Sequence, residues 1–183
     1  DSPFPILLST IVTAQAHPDT AFDAIVNWLP LTSLTRSCDI HRDLIQGNPI
    51  SYTTLATDVT DNDAVEALAQ KAISEFGHLD IWINNAGGSP IQTPLTELDA
   101  KEWDATMRLN LTAIWVCTNT AARLMRDGGR IVNISSRAAV STVMGSGHYA
   151  AAKAGVNSLT VTYAKELGPR IRVNCIMPGA VPT

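Results

Sequence analysis

All eleven glycines of this 183-residue chain lie at or beyond Gly47. The first quarter therefore has no residue suited to a left-handed backbone or to a very close backbone approach. Cysteine is also scarce. Cys38, Cys117 and Cys175 are odd in number and widely spaced, which fits neither a disulfide framework nor a metal site and points to a reducing, cytoplasmic setting. His17, His41, His78 and His148 lack metal-ligand spacing. There is no run of Lys or Arg, and the net charge is -4, which argues against a nucleic-acid partner. No apolar run reaches membrane-spanning length, so no membrane partner is expected. The chain opens Asp1-Ser2-Pro3, without Met and without a basic segment. The apolar residues 6–12 and Ala14-Gln15-Ala16 are therefore read as a buried first strand, not as a signal peptide with its cleavage site. With 45% hydrophobic and 16% charged residues, the composition is that of one globular domain with a sizeable core.

What is present centres on residues 136–153. A short strand, 129–135, precedes them, and a helix carries their second half. Tyr149 and Lys153 are four apart, so on a helix they share one face, one turn apart. A phenol in water has a pKa of about 10. A nearby ammonium favours the phenolate, and such a tyrosine can exchange a proton with an alcohol or alkoxide. Ser136, at the end of the strand, could donate a hydrogen bond to the same oxygen. Alone, a Tyr with Lys at +4 is a weak pattern. Tyr52 and Tyr163 have Ala56 and Leu167 there.

Along the chain, strands are expected at residues 4–13, 50–57, 79–83, 130–134 and 171–176. Helical spacing marks residues 19–29, closed by Pro30. Residues 31–36 read as a strand and 39–46 as a short helix. Thr60 with Asp63 resembles a capping box. Val65, Leu68, Ala69, Ala72, Ile73 and Phe76 then form one apolar stripe, stopped by Gly77. Asp99 with Glu102 caps a long helix running to about Met125. The helix of Tyr149 ends at Gly168-Pro169. Strands alternating with helices argue for an α/β protein with a doubly wound parallel sheet covered on both faces. Ligands bind beyond the carboxyl ends of such strands, where Asn84, Ser136 and Pro178-Gly179 fall. No repeat, linker or second domain is visible.

These residues together resemble the short-chain dehydrogenase/reductase family. The matches are Asp58-Val59, Asn84-Asn85-Ala86-Gly87, Asn110, Ile134-Ser135-Ser136, Tyr149-Ala150-Ala151-Ala152-Lys153, Arg172-Val173-Asn174, Pro178-Gly179 and Thr183. They come in the family's order and cover residues 50–183. The resemblance implies a Rossmann-like three-layer α/β/α fold holding NAD or NADP, and hydride transfer between the nicotinamide and a carbonyl carbon. It makes Tyr149 the acid/base. Lys153 would lower its pKa and bond the nicotinamide ribose. Ser136 would orient the substrate oxygen, and Asn110 would hold a water leading to Lys153. Asp58 and Val59 would contact the adenine. Asn84, Ala86 and Gly87 would pass the adenosine ribose, with Pro178 and Gly179 also beside the cofactor and Thr183 reaching the carboxamide. The substrate would be a small alcohol or carbonyl compound. A homodimer or homotetramer would pack through the helices that carry Asn110 and Tyr149.

The chain departs from the family at both ends. The family's glycine-rich turn lets backbone approach the pyrophosphate at a helix N-terminus. In the best register, Ala14, Pro18 and Thr20 replace its glycines, and Pro18 removes a donor. Residues 1–45 are therefore atypical. The residue that selects NAD or NADP is left open among Arg36, Asp39 and Arg42. The family also continues past Thr183 with a substrate lid and a last strand, so the sheet is expected to lack that strand and the chain reads as a fragment or a variant. The alternative to an oxidoreductase is a non-catalytic relative acting by association. A methyltransferase on a similar sheet would not need Ser136, Tyr149 and Lys153 in this arrangement.

Overall fold

Val65, Leu68, Ala69 and Ala72 are buried on one helix face, and that stripe fixes the first well-packed layer of the molecule. The computed structural model describes residues 10–14, 23–26, 52–53, 55–89 and 92–179. Its strands are β1 (Thr10–Ala14), β2 (Asp23–Val26), β3 (Tyr52–Thr53), β4 (Ile81–Asn84), β5 (Gly129–Ile134) and β6 (Ile171–Ile176). Its helices are α1 (Asn62–Phe76), α2 (Ala100–Met107), α3 (Ala113–Leu124) and α4 (Gly147–Leu167). A π turn, Arg108–Thr112, joins α2 to α3, and a short 3-10 turn covers Arg137–Ala139.

The sheet order is β3-β2-β1-β4-β5-β6. β4, β5 and β6 are mutually parallel, as are β2 and β3. This is the expected Rossmann-like α/β frame, with β6 at the edge of the described sheet. β1 departs from it, running antiparallel to both β2 and β4. The helix expected at residues 19–29 is not formed either, because Asp23–Val26 is strand β2. Short apolar runs fit both periods. Here β-branched Ile25 and Val26 lie opposite Val12 and Ile11, and the ladder's hydrogen bonds decide. Of the expected first strand, residues 4–9 lie outside the described residues, as do the elements expected at 31–36 and 39–46.

One cap differs as well. α1 is capped by Asp61, whose side chain accepts from Asp63 and Ala64 N–H. Thr60 instead serves Asp58, donating to its Oδ1 from both N–H and Oγ1 at 2.8 Å. Asp99 caps α2 as expected, accepting from Glu102 N–H at 2.7 Å. Gly77 ends α1 at φ 81°, a conformation suited to glycine.

Burial alternates along the central strands, as a pleated sheet requires. Trp82, Asn84, Ile131, Asn133, Ile171 and Val173 are buried, and Ile81, Val132, Arg172 and Asn174 are less so. The buried set joins side chains of α1, α3 and α4 in one cluster. The described helices therefore cover one face of the sheet. Among the described residues there is no second helical layer on the other face.

A polar chain runs through that core. The register places Asn84 opposite Asn133. Asn84 Nδ2 donates to Asn133 Oδ1 at 2.8 Å and to Thr118 Oγ1 at 3.0 Å. Trp82 Nε1 donates to Asn84 Oδ1 at 2.6 Å. Asn133 Nδ2 donates to Thr160 Oγ1 at 2.9 Å. The network ties β4 and β5 to α3 and α4. Asn84→Ala strands several buried groups at once, so a loss of about 3 kcal/mol is expected. A lower urea midpoint at unchanged slope would show it; an unchanged midpoint would remove the bracing role.

Candidate functional site

The β5 and β6 exits stay paired beyond the strands. Ser135 N–H donates to Ile176 O at 2.8 Å, and Arg137 N–H to Pro178 O at 2.9 Å. Ser136 and Pro178 thus sit side by side at the carboxyl end of the sheet. The two serines divide the work. Ser135 is buried, and its hydroxyl donates to Lys153 O at 3.0 Å, fixing α4 against β5. Ser136 Oγ accepts from Ala138 N–H at 3.1 Å, which leaves its own O–H free to donate.

Tyr149 and Lys153 lie one turn apart on α4, with Lys153 Nζ 5.7 Å from the centroid of the Tyr149 ring. That is within cation–π range. Tyr149 is half-buried, and no described residue takes its hydroxyl. Lys153 is 2% exposed. Its Nζ donates to Ile134 O at 2.8 Å, and among the described residues no carboxylate pairs with it. Burial lowers its pKa from the ordinary 10.5 to about 8, with Cys175 acting weakly in the opposite direction. His148, beside Tyr149, is fully buried, and neither ring nitrogen has a partner among the described residues. Such a group costs about 1–3 kcal/mol, and departures of this kind gather at working sites.

Asn110 sits at the centre of the π turn and is fully buried. Gly88 N–H donates to its Oδ1 at 2.9 Å, and its Nδ2 donates to Gly88 O at 2.9 Å and Thr106 O at 3.0 Å. The amide clamps the β4 exit. Any water held at Asn110 would have to use its main chain, and π turns displace main-chain hydrogen bonds, frequently at functional sites. Gly87 closes the cluster. A methyl group there would lie 2.8 Å from Asn110 Oδ1 and 3.2 Å from Lys153 Nζ. Only a residue without Cβ lets the β4 exit, the π turn and α4 come this close.

The remaining expected residues fall into three sets. Asn84 is committed to the core network and Ala86 is buried. Val59 is 2% exposed within the core, and Asp58 is engaged with Thr60, so their side chains serve packing and the turn. Pro178 and Gly179 lie at the β6 exit. Gly179 and Gly88 both face open space. Thr183, Pro18 and Thr20, and also Arg36, Asp39 and Arg42, lie outside the described residues. Sequence reasoning missed Ser135, Asn133, Thr118 and Thr160. A signal existed for the first two, because Ile131, Asn133 and Ser135 share the buried face of one strand.

The parallel strands with this cluster at their carboxyl ends define a Rossmann-like nucleotide-binding frame. The family model for short chain dehydrogenases matches residues 39–183, and the chain belongs to that family. It is 34% identical over 174 residues to a 3-oxoacyl-[acyl-carrier-protein] reductase from Synechocystis, covering 93% of this chain and 69% of that protein. It is 43% identical over 133 residues to a cis-4-hydroxycyclohexanecarboxylate dehydrogenase from Sinomonas cyclohexanicum, covering 69% of this chain and 52% of the relative. A short chain dehydrogenase from Burkholderia cenocepacia, solved in complex with NADP, superimposes with a TM-score of 0.72 at 33% identity, over 82% of this chain and 62% of the other. The chain thus spans about half to two thirds of the relatives' length.

Proposed function

We propose that the protein is an NAD- or NADP-dependent oxidoreductase that interconverts a secondary alcohol and a ketone. One observation carries the reading: Lys153 Nζ lies 5.7 Å from the centroid of the Tyr149 ring, and a Cβ at Gly87 would fall 2.8 Å from Asn110 Oδ1 and 3.2 Å from that same ammonium. The residues present fit a nicotinamide cofactor. Lys153 spends one N–H on Ile134 O and keeps two for a ribose. Gly88 and Gly179 leave the adjoining exits open. A bound nicotinamide supplies or accepts the hydride.

The chain's own residues handle the oxygen. In the reducing direction, Tyr149 gives its phenolic proton to the oxygen as the carbonyl carbon becomes tetrahedral. Ser136 donates a hydrogen bond to that oxygen and fixes its position. Lys153 holds the ribose and faces the ring with its charge. Asn110 keeps the β4 exit against Lys153. Asp58, Val59 and Ala86 would line the adenosine side through the main chain; the role at the carboxamide that the resemblance gives Thr183 falls outside the described residues.

A homodimer or homotetramer would use the face where α3 meets α4. Leu111, Trp115, Gly155 and Leu159 line a groove there, and Trp115 is 49% exposed. None of the described helices is long and apolar enough to cross a membrane. Cys117 and Cys175 are free thiols, which suits the cytoplasm.

The second reading, an association module without turnover, rests on β1. β1 pairs antiparallel with β2, Ala14 opposite Asp23, where a parallel β1 would lead into the pyrophosphate turn. Titration with NADH and NADPH separates the two. A ligand that binds the folded state raises its melting temperature. A shift with either nucleotide is expected, and no shift at millimolar nucleotide would favour association alone.

A further inference from the structure

Three strand exits border the site: residues 85–89 after β4, 135–147 after β5 and 177–179 after β6. Together they contain a single charged residue, Arg137. It directly follows Ser136. Its N–H is anchored to Pro178 O, and the 3-10 turn it opens packs on α4, the helix of Tyr149. Its side chain is exposed, and among the described residues nothing pairs with the guanidinium. Lys153 is engaged by Ile134 O and, on the reading above, by the cofactor ribose. The rest of the rim is uncharged, and much of its exposed surface is apolar. Val140, Val143, Met144 and Met177 are 71%, 65%, 97% and 50% exposed. Single exposed apolar residues are ordinary, but several gathered on the exits of a site mark a binding surface.

We infer that the substrate is a ketone or secondary alcohol with an apolar body and a carboxylate, and that Arg137 binds that carboxylate. This rests on the oxidoreductase reading of the same site. The oxygen undergoing proton transfer lies between Ser136 and Tyr149. Arg137 adjoins Ser136 in extended backbone, and only the length of its side chain can bring the guanidinium to the same substrate, so the carboxylate stands several carbons from the carbonyl. The apolar rim covers the carbon skeleton between them. A guanidinium forks onto a carboxylate through two parallel hydrogen bonds, which fixes orientation as well as affinity. On these three exits no second charge competes with Arg137 for an anion.

The test compares 4-oxocyclohexanecarboxylate with its methyl ester, a neutral ketone of nearly the same shape, in the wild-type protein and in Arg137→Gln. The wild type should prefer the keto acid by about tenfold or more in kcat/KM, chiefly through KM. Arg137→Gln should bring that ratio close to one, and added salt should narrow it in the wild type. Equal use of acid and ester, or a preference that survives Arg137→Gln, overturns the inference. So does a loss of NADPH and NADH affinity in Arg137→Gln, which would assign the guanidinium to the nucleotide. Calorimetric binding of both ketones is measured alongside. If neither ketone is turned over, the nucleotide titration decides the oxidoreductase reading and binding decides this inference. The anion site then stands only if the keto acid binds and Arg137→Gln abolishes that binding, and it falls if the keto acid does not bind.

Discussion

Tyr149→Phe is expected to lower turnover by about 100- to 10,000-fold, the usual weight of a positioned acid/base, while nucleotide affinity stays within about twofold of wild type. The substitution deletes one oxygen and keeps the ring. The ring face that Lys153 Nζ approaches at 5.7 Å therefore remains. No described residue depends on the phenol oxygen for a hydrogen bond, so the fold loses nothing there. The phenylalanine variant would hold nucleotide and substrate, but the developing alkoxide would have to find its proton in water. Ser136 cannot take over the role, because a hydroxyl that donates a hydrogen bond is far too weak an acid to give up its proton at neutral pH. Steady-state rates with nucleotide fluorescence titrations would check both halves. Turnover unchanged in the phenylalanine variant would eliminate this mechanism.

Lys153→Met should abolish turnover and yet make the protein more stable at pH 7. The reason is the environment of Lys153. At 2% exposure, its ammonium is taken out of water and faces one backbone carbonyl, with no carboxylate among the described residues. Burial holds its pKa at about 8 in the folded protein, against 10.5 ordinarily. The unfolded chain therefore binds the proton more tightly, and the charged lysine opposes folding. The difference corresponds to about 3 kcal/mol at pH values below both pKa values. The sign follows from linkage. Below about pH 8 both states carry the proton and the full penalty applies. Between about 8 and 10.5 the folded state releases its proton first, so wild-type stability rises with pH through this window. Above 10.5 both are neutral and the penalty is gone. Methionine fills similar space without charge, at the loss of the bond to Ile134 O, about 1 kcal/mol. A net gain of about 2 kcal/mol is therefore expected at pH 7, shrinking towards zero or below by pH 10.5. Urea titrations at several pH values would measure it. A methionine variant less stable than wild type at pH 7, with no trend above pH 8, would mean that the lysine is not penalised by burial.

The readable parts of the chain share a property. Gly77, Asp99 and the stripe of Val65, Leu68, Ala69 and Ala72 act within a few residues of themselves, and the structure has each where the pattern puts it. The pairing of Tyr149 with Lys153 is equally local, because helical spacing alone brings them to one face. Thr60 was misread as a cap because Asp58 and Asp61 compete for the same turn, and local spacing does not say which carboxylate reaches which N–H. Residues 19–29 were misread for a stronger reason. Their apolar spacing suits a helix, but the partner strand supplies the hydrogen bonds that decide, and that partner is set by the path of β1.

The sequence alone determined the strand–helix alternation, the family, and the residue types capable of proton transfer at the strand ends. Each follows from the order and spacing of side chains along one element. Only the tertiary structure decided that Ser135 braces Lys153 while Ser136 keeps its proton, that Asn84 locks onto Asn133 across the sheet, and that Gly87 brings Asn110 and Lys153 together. Those outcomes depend on the register between segments separated by tens of residues, and on packing that leaves no room for a single methyl group.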